Sequence, residues 1–273
     1  MSLNIVVLVK QVPDTSEVRM DPVRGTLIRE GVPSIVNPFD VFAIEAGLAL
    51  RDAYGGKVTL LSMGPSQAGA ALREGISMGA DDAVLISDRA FAGSDTLATS
   101  YALATAVKKI GQNAGAGVDL ILAGRQAIDG DTAQVGPGVA EQLGMPSITC
   151  VSKIESLSQN GTGPNLRLRR MLEDGYQVVE VGLPAVLSVV KDINKPRLPS
   201  LRGMMKSKTY NLPTWTAADI AADTTLCGLS GSATRVKRIF SPEKRARGET
   251  LEGGAAEQAK TLVQRLRDSG FSI

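Results

Sequence analysis

Histidine is absent from the 273-residue chain. Its absence excludes Ser-His and Cys-His nucleophile systems, an imidazole metal site and a histidine general base. Cysteine is almost as scarce: Cys150 and Cys227 are the only two, and they form no CxxC pair. A disulfide or zinc site is therefore not expected, and both thiols read as buried side chains. Aromatic residues make up 4% of the chain, with Trp215 the single tryptophan, too few for a platform that stacks single-stranded nucleic acid. No apolar run approaches the ~20 residues that cross a bilayer, so no membrane insertion is expected. The stretch from Met1 to Val12 carries no basic flank ahead of its apolar run. That argues against a secretory signal and for a cytoplasmic setting.

Charge of one sign is also lacking. A net charge of +2 is too small to imply a nucleic-acid partner. The basic cluster Arg235, Lys237, Arg238, Lys244, Arg245 and Arg247 has no reading helix or aromatic platform beside it, so it reads as a solvated or partner-facing stretch. Two phosphate-binding signatures are missing as well, the G-x-G-x-x-G dinucleotide loop and the G-x-x-x-x-G-K-[ST] loop. Ordinary NAD-dehydrogenase and nucleotide-triphosphatase readings lose most of their basis.

What is present alternates. Ile5-Val6-Val7-Leu8-Val9 is continuously apolar, as a strand covered on both faces should be. Stretches 58–63, 83–86, 119–123 and 185–190 read the same way. A helix is expected to start at Asn37 with Pro38 and Asp40 in its first turn and to leave through Gly55-Gly56. A second is expected over 95–110, capped by Ser94. Such alternation implies an α/β fold with an open parallel sheet and helices on both faces. Hairpins are expected over 17–31, around Asp21-Pro22 and Arg24-Gly25, and over 165–181, around Asp174-Gly175. After Val190 the periodicity fades, leaving a weak helix over 217–222 and a convincing one over 255–267. The expected division is a 1–190 domain and a 191–273 arm, because the latter buries too little apolar surface for a core of its own.

In an open parallel sheet, ligands sit beyond the carboxyl ends of the strands. After the first strand comes Lys10-Gln11-Val12-Pro13-Asp14. After the 119–123 strand comes Gly124-Arg125-Gln126-Ala127-Ile128-Asp129-Gly130-Asp131-Thr132-Ala133-Gln134-Val135-Gly136-Pro137. Its glycines let backbone amides approach a ligand, and Thr132 and Gln134 supply neutral donors. A helix expected from about Thr132 to Leu143 would aim its amides and dipole at an anion such as a phosphate. The aspartates suit capping or ribose hydrogen bonds.

These stretches resemble motifs of the electron-transfer flavoprotein β subunit. The resemblance rests, in order, on Val9-Lys10-Gln11-Val12-Pro13-Asp14, Asn37-Pro38-Phe39-Asp40, Met63-Gly64-Pro65, Gly79-Ala80-Asp81, Gly124 to Asp131 and Leu201-Arg202-Gly203-Met204-Met205-Lys206. It covers the chain from Asn4 to about Leu229. It implies an adenine nucleotide held by Leu8, Val9 and Lys10, by Asn37, Pro38, Phe39 and Asp40, by Met63, and by the loop from Gln126 to Pro137. It also implies a heterodimer with the flavoprotein α subunit, and docking of acyl-CoA dehydrogenase-type partners through Leu201.

The family has a branch whose β subunit holds AMP as a structural ligand, and an electron-bifurcating branch whose β site holds a second FAD that accepts a hydride from NADH. Val12-Pro13-Asp14-Thr15 and residues 87–100 resemble the second, with Thr96 and Thr99 near a helix start facing the flavin or its pyrophosphate. A stand-alone adenine-nucleotide-binding protein on the same sheet is the alternative. Against it, Ala127 stands where such binders carry glycine, and Lys10-Gln11-Val12 where ATP-using relatives carry a Ser-Gly-Gly-type loop.

Overall fold

The computed structural model describes residues 2–14, 19–20, 27–28, 33–160, 163–237 and 248–272. The strands are β1 (Leu3–Leu8), β2 (Gln11–Pro13), β3 (Arg19–Met20), β4 (Leu27–Ile28), β5 (Ser34–Val36), β6 (Gly56–Met63) and β7 (Asp82–Ile86). They continue with β8 (Leu120–Gly124), β9 (Ser147–Asn160), β10 (Gly163–Met171), β11 (Tyr176–Gly182), β12 (Ala185–Val189) and β13 (Thr214–Trp215). The helices are α1 (Pro38–Tyr54), α2 (Gly69–Met78), α3 (Thr96–Asn113), α4 (Val135–Leu143), α5 (Leu201–Thr209), α6 (Gly228–Gly231) and α7 (Ala255–Asp268).

Alternation within β1 explains the layers. Leu3, Ile5 and Val7 point to a core shared with Ile44 and Leu48 of α1 and Leu72 and Ile76 of α2. Val6 and Leu8 point to the opposite core, with Val107 of α3 and Val139 of α4. A strand buried on both faces must be apolar throughout. The main sheet has the order β11-β10-β9-β12-β8-β1-β6-β7-β13. The pairs from β9–β12 through to β7–β13 are parallel, whereas β9–β10 and β10–β11 are antiparallel. From β1 the chain winds outward through β6 and β7, then returns by α3 to place β8 on the other side of β1. The winding therefore reverses between β1 and β8, the position where an α/β sheet opens a ligand crevice.

Several local expectations change. The helix expected over 95–110 is α3, but its cap is Asp95, whose carboxylate accepts from the Leu97 and Ala98 amides. The Ser94 hydroxyl instead donates to the Phe91 carbonyl and accepts from the Gly228 amide. The helix expected from Thr132 starts at Val135, because Asp131 and Ala133 have φ of 54° and 55°, which a right-handed helix cannot hold. The expected hairpin over 165–181 is β10–β11, joined by a third strand, β9, that the sequence reading omitted. The pairing of β3 with β4 places Arg19 opposite Ile28, while the turn of the 17–31 hairpin lies outside the described residues. Residues 217–221 form a turn rather than a helix.

Beyond Val190 the chain runs over the sheet's own helices. The Arg197 guanidinium grips the buried carboxylate of Glu45 on α1, at 2.8 Å from Nε, and reaches Asp52 at 2.9 Å. Arg73 of α2 donates to the carbonyls of Ser207 and Tyr210. Gly203 brings α5 so close to α2 that an added Cβ would lie 2.0 Å from the Ser77 carbonyl oxygen. β13 then pairs with β7. α7, by contrast, buries none of its residues. Of the basic cluster, Arg235 and Lys237 are exposed, and Arg238, Lys244, Arg245 and Arg247 lie outside the described residues.

Candidate functional site

A cleft of about 370 Å³ opens at the carboxyl ends of β1, β6 and β8. Its floor is Leu8, Val9, Leu61, Met63 and Ala123, and its walls are the loop after β8 and the start of α3. The volume falls in the range of small-molecule sites.

Gly124 ends β8 where two backbones nearly touch. A Cβ there would fall 2.4 Å from Asp40 Oδ1 and 2.6 Å from the Phe39 carbonyl carbon. Only glycine lets the loop turn out over the start of α1. Asn37, 1% exposed, then pins that loop from below. Its Nδ2 donates to Asp40 Oδ1 at 2.9 Å and to the Gln126 carbonyl at 2.9 Å, while Oδ1 accepts from the Ile128 amide at 3.2 Å. Asn37 therefore occupies the cap position of α1 without making a side-chain cap bond, its valences being spent on the loop. The Lys10 ammonium reaches over to Asp129 at 2.7 Å, and Gln126 Nε2 donates to Asp131. Both aspartates thus serve the loop's own shape.

Two helix starts face the cleft, and they differ. At α3, Asp95 already satisfies the first amides. At α4, Gln134 makes no side-chain cap bond. Pro137 has no N–H, so the amides of Val135 and Gly136 are left for an anion. The Thr96 hydroxyl donates to Gln134 Oε1 at 3.0 Å, joining the two starts. Gly138 allows this approach, since a Cβ there would meet Ser100 Oγ at 2.4 Å.

Of the residues named from sequence, Leu8, Val9, Lys10, Asn37, Asp40, Met63, Thr96, Thr99, Gln126, Ala127, Gly130, Thr132, Ala133, Gln134, Val135 and Gly136 line this cleft. Pro38, Phe39, Ile128, Asp129, Asp131 and Pro137 stand behind it, Phe39 beneath Gly124 and Ile128 on Asn37. The sequence reading missed Leu61, Ser94, Asp95, Leu103, Ala123 and Arg125 as lining residues, while Gly124, read there as a glycine that lets backbone approach a ligand, does line the cleft. The alternation of β6 could have given Leu61, two positions before Met63 on the same face. Leu201, 73% exposed on the first turn of α5, lies outside the cleft.

Asp40 is the unusual acid of the site. Burial pushes its carboxyl up to about 7, against the Lys10 amide, the Asn37 side chain, the Gly124 amide and the Lys10 charge, which all pull it down. A raised native value means the folded chain keeps this proton longer than the unfolded chain. Asp40 therefore contributes stability that is full below 3.8 and is lost as pH rises to about 7. Thermal unfolding across that window should show a decline that Asp40→Asn flattens, because the variant carries no proton to lose.

The reversal of winding, the glycine-bordered cleft and the uncapped helix start define an open doubly wound α/β protein. Residues 24–220 match the electron transfer flavoprotein domain. The chain is 49% identical to the electron transfer flavoprotein β subunit of Clostridium acetobutylicum, covering 98% of this chain and 100% of that one. It is 53% identical to the β subunit of Megasphaera elsdenii, over 92% of each. It is 47% identical to the caffeyl-CoA reductase–Etf complex subunit CarD of Acetobacterium woodii, over 97% of this chain and 98% of that one. The chain belongs to the electron-transfer flavoprotein family as a β subunit. It is a component of an electron carrier, and a β subunit implies an α-subunit partner. Among the described residues no helix is long and apolar enough to cross a membrane, and no cluster of acidic or thiol side chains could hold a metal ion.

Proposed function

We propose that the cleft holds an adenine dinucleotide, FAD, and that the heterodimer takes electrons from NADH and divides them between redox partners by flavin-based bifurcation. The observation that carries the reading is the pair of helix starts at one cleft. The α4 start offers free amides for phosphate, and the α3 start adds the hydroxyls of Thr96 and Thr99 beyond what an adenylate needs. The residues fit such a group. Leu8, Val9 and Met63 would pack the adenine, leaving its polar edge to main-chain atoms. Val135 and Gly136 would meet the phosphates, and Thr96 and Thr99 the remainder. When bound, the flavin supplies the redox chemistry, and the protein supplies position and electrostatics. Asn37 and Asp40 hold the loop, Lys10 and Asp129 strap its rim, and the buried apolar floor keeps water from the adenine end. The relative named as part of a caffeyl-CoA reductase–Etf complex favours a role of this kind. Anaerobic mixing of the heterodimer with NADH should bleach flavin absorbance rapidly, and unchanged absorbance would reject the reading. AMP as a structural ligand is the second reading, favoured by a cleft volume at the low end for a ligand site.

The chain after residue 190 serves, in this reading, as the arm that wraps the α subunit and docks partners. It is supported by the open surfaces of α7, where Leu262 and Val263 are uncovered, and of α5 and the loop before it, where Met205 is 65% and Leu198 88% exposed. Leu201 would anchor an acyl-CoA dehydrogenase-type partner, with Pro199 and Arg202 flanking it. Leu201→Ala should then weaken docking by about 2 kcal/mol, as a hot-spot truncation does. Steady-state electron delivery, titrated with the dehydrogenase, should show a raised half-saturation with flavin content and NADH reduction unchanged.

A further inference from the structure

The wall of the cleft at α3 is held from outside by a segment far away in the chain. The Ser232 hydroxyl accepts from the Asp95 amide at 2.8 Å. Both the amide and the hydroxyl of Thr234 donate to Asp95 Oδ2, at 2.8 and 2.9 Å. The other carboxylate oxygen, Oδ1, receives the Leu97 and Ala98 amides at 3.0 and 3.1 Å. Next to this clasp the Gly228 amide donates to Ser94 Oγ at 3.0 Å. Leu229 packs over Gly93, where a Cβ would lie 2.7 Å from its Cγ. One carboxylate thus joins three things: the cap of α3, the 228–234 segment and, through neighbouring Thr96 and its bond to Gln134, the start of α4. Burial alone would raise the Asp95 carboxyl, but the bonds from Ala98 and Thr234 outweigh it and hold the group below the usual carboxylate range, so it is charged when it grips.

A capping aspartate needs none of the Thr234 bonds to do its work. The second oxygen, spent on a residue 139 positions away, is an addition that ties the cleft wall to the C-terminal segment. We propose that Asp95 and Thr234 are positioning residues for the nucleotide. Their clasp fixes the α3 wall at the spacing from the α4 start that the ligand requires, and so slows its release. The inference rests on the cleft being a nucleotide site, whichever nucleotide it holds. Thr234 lies at the surface and touches no proposed ligand-binding atom, so its effect must pass through Asp95.

The test uses the purified heterodimer loaded with its own nucleotide. Release is followed after dilution into an adsorbent, with assembly monitored by light scattering. Thr234→Val removes the hydroxyl bond alone. Asp95→Asn leaves an oxygen for the α3 cap and turns an amide group toward the two Thr234 donors. Each should speed release, the second by about tenfold, for loss of hydrogen bonds to a charged group. The double variant should be no faster than Asp95→Asn, and Thr234→Ser should return the parent rate. Release at the parent rate from both single variants, with nucleotide present in the parent, would overturn the inference while leaving the cleft's assignment intact. Faster release that only follows loss of the α subunit would overturn it too, since the clasp would then serve assembly. A parent that yields no nucleotide from this site would remove the reading beneath it.

Discussion

Gly124→Ala should empty the cleft. The added methyl has no room: the atoms it meets, at 2.4 Å and 2.6 Å, are Asp40 Oδ1 and the Phe39 carbonyl carbon. The second of these is backbone at the first turn of a buried helix. A flexible side chain could step aside, but the α1 start cannot do so without breaking the Lys10 amide bond to Asp40 Oδ2, at 2.7 Å. Overpacking of this kind costs about 1–3 kcal/mol, and backbone obstruction puts this site at the upper end. Relief comes most cheaply by lifting the 124–134 loop away from α1, which moves the start of α4. The expected result is a heterodimer that assembles with a lowered unfolding temperature and has lost most nucleotide from the β site. Gly130→Ala is the control, because a Cβ there meets nothing within 4 Å. Nucleotide content at parent level in Gly124→Ala would show that the loop's closeness to α1 is unimportant.

The second large effect is expected at Asn37. Its one side chain makes three hydrogen bonds, to Asp40, Gln126 and Ile128, all from a fully buried position. Asn37→Ala leaves the Gln126 carbonyl and Ile128 amide without it, and a buried group stripped of its partner costs about 1–3 kcal/mol. Two such losses place the total near 3 kcal/mol and detach the loop from α1. Asn37→Asp distinguishes loss of bonds from loss of volume. It keeps an acceptor for Ile128 but sets a carboxylate oxygen against Asp40 and the Gln126 carbonyl, so it should be at least as damaging at pH 8. At pH 5, where Asp40 is largely protonated, the penalty should shrink. Hydrogen exchange at residues 126–131 should rise in both variants, and denaturant unfolding gives the stability.

These two residues also mark how far the sequence could be read. Gly124 and Asn37 were visible as a loop glycine and a helix cap, because glycine at a strand end and Asn before Pro are local signals. Their joint use was not visible. The bonds from Asn37 to Gln126 and Ile128 span 89 and 91 positions, and no local pattern records that. The central strands were legible because burial on both faces demands unbroken apolar runs. β9 was not: Lys153, Glu155 and Ser158 interrupt it with exposed side chains, as suits a strand with one open face, parallel to β12 on one side and antiparallel to β10 on the other. α5 escaped notice for a related reason, since only Gly203 of its residues is buried and its apolar side chains face outward. The helix expected at 217–222 had propensity from its alanines but lacked length, and the φ of 53° at Ala221 ends it. Ser94 and Asp95 were equally plausible caps by composition. Packing decided between them, by calling the Ser94 hydroxyl to Phe91 and Gly228.

The distinction between FAD and AMP follows from what the α3 wall is for. In the proposed reading an adenylate would need only the β1 end, Met63 and the α4 amides, and would leave Thr99, and Thr96 beyond its bond to Gln134, without a ligand group. In that reading a dinucleotide would engage both walls, the amides of α4 and the threonine hydroxyls of α3, whose own first amides Asp95 already caps. The most direct measurement is acid extraction of the co-purified α–β heterodimer, followed by chromatography and quantitation of the released nucleotides against protein. The account predicts two FAD per heterodimer and no AMP. One FAD with one AMP would contradict it.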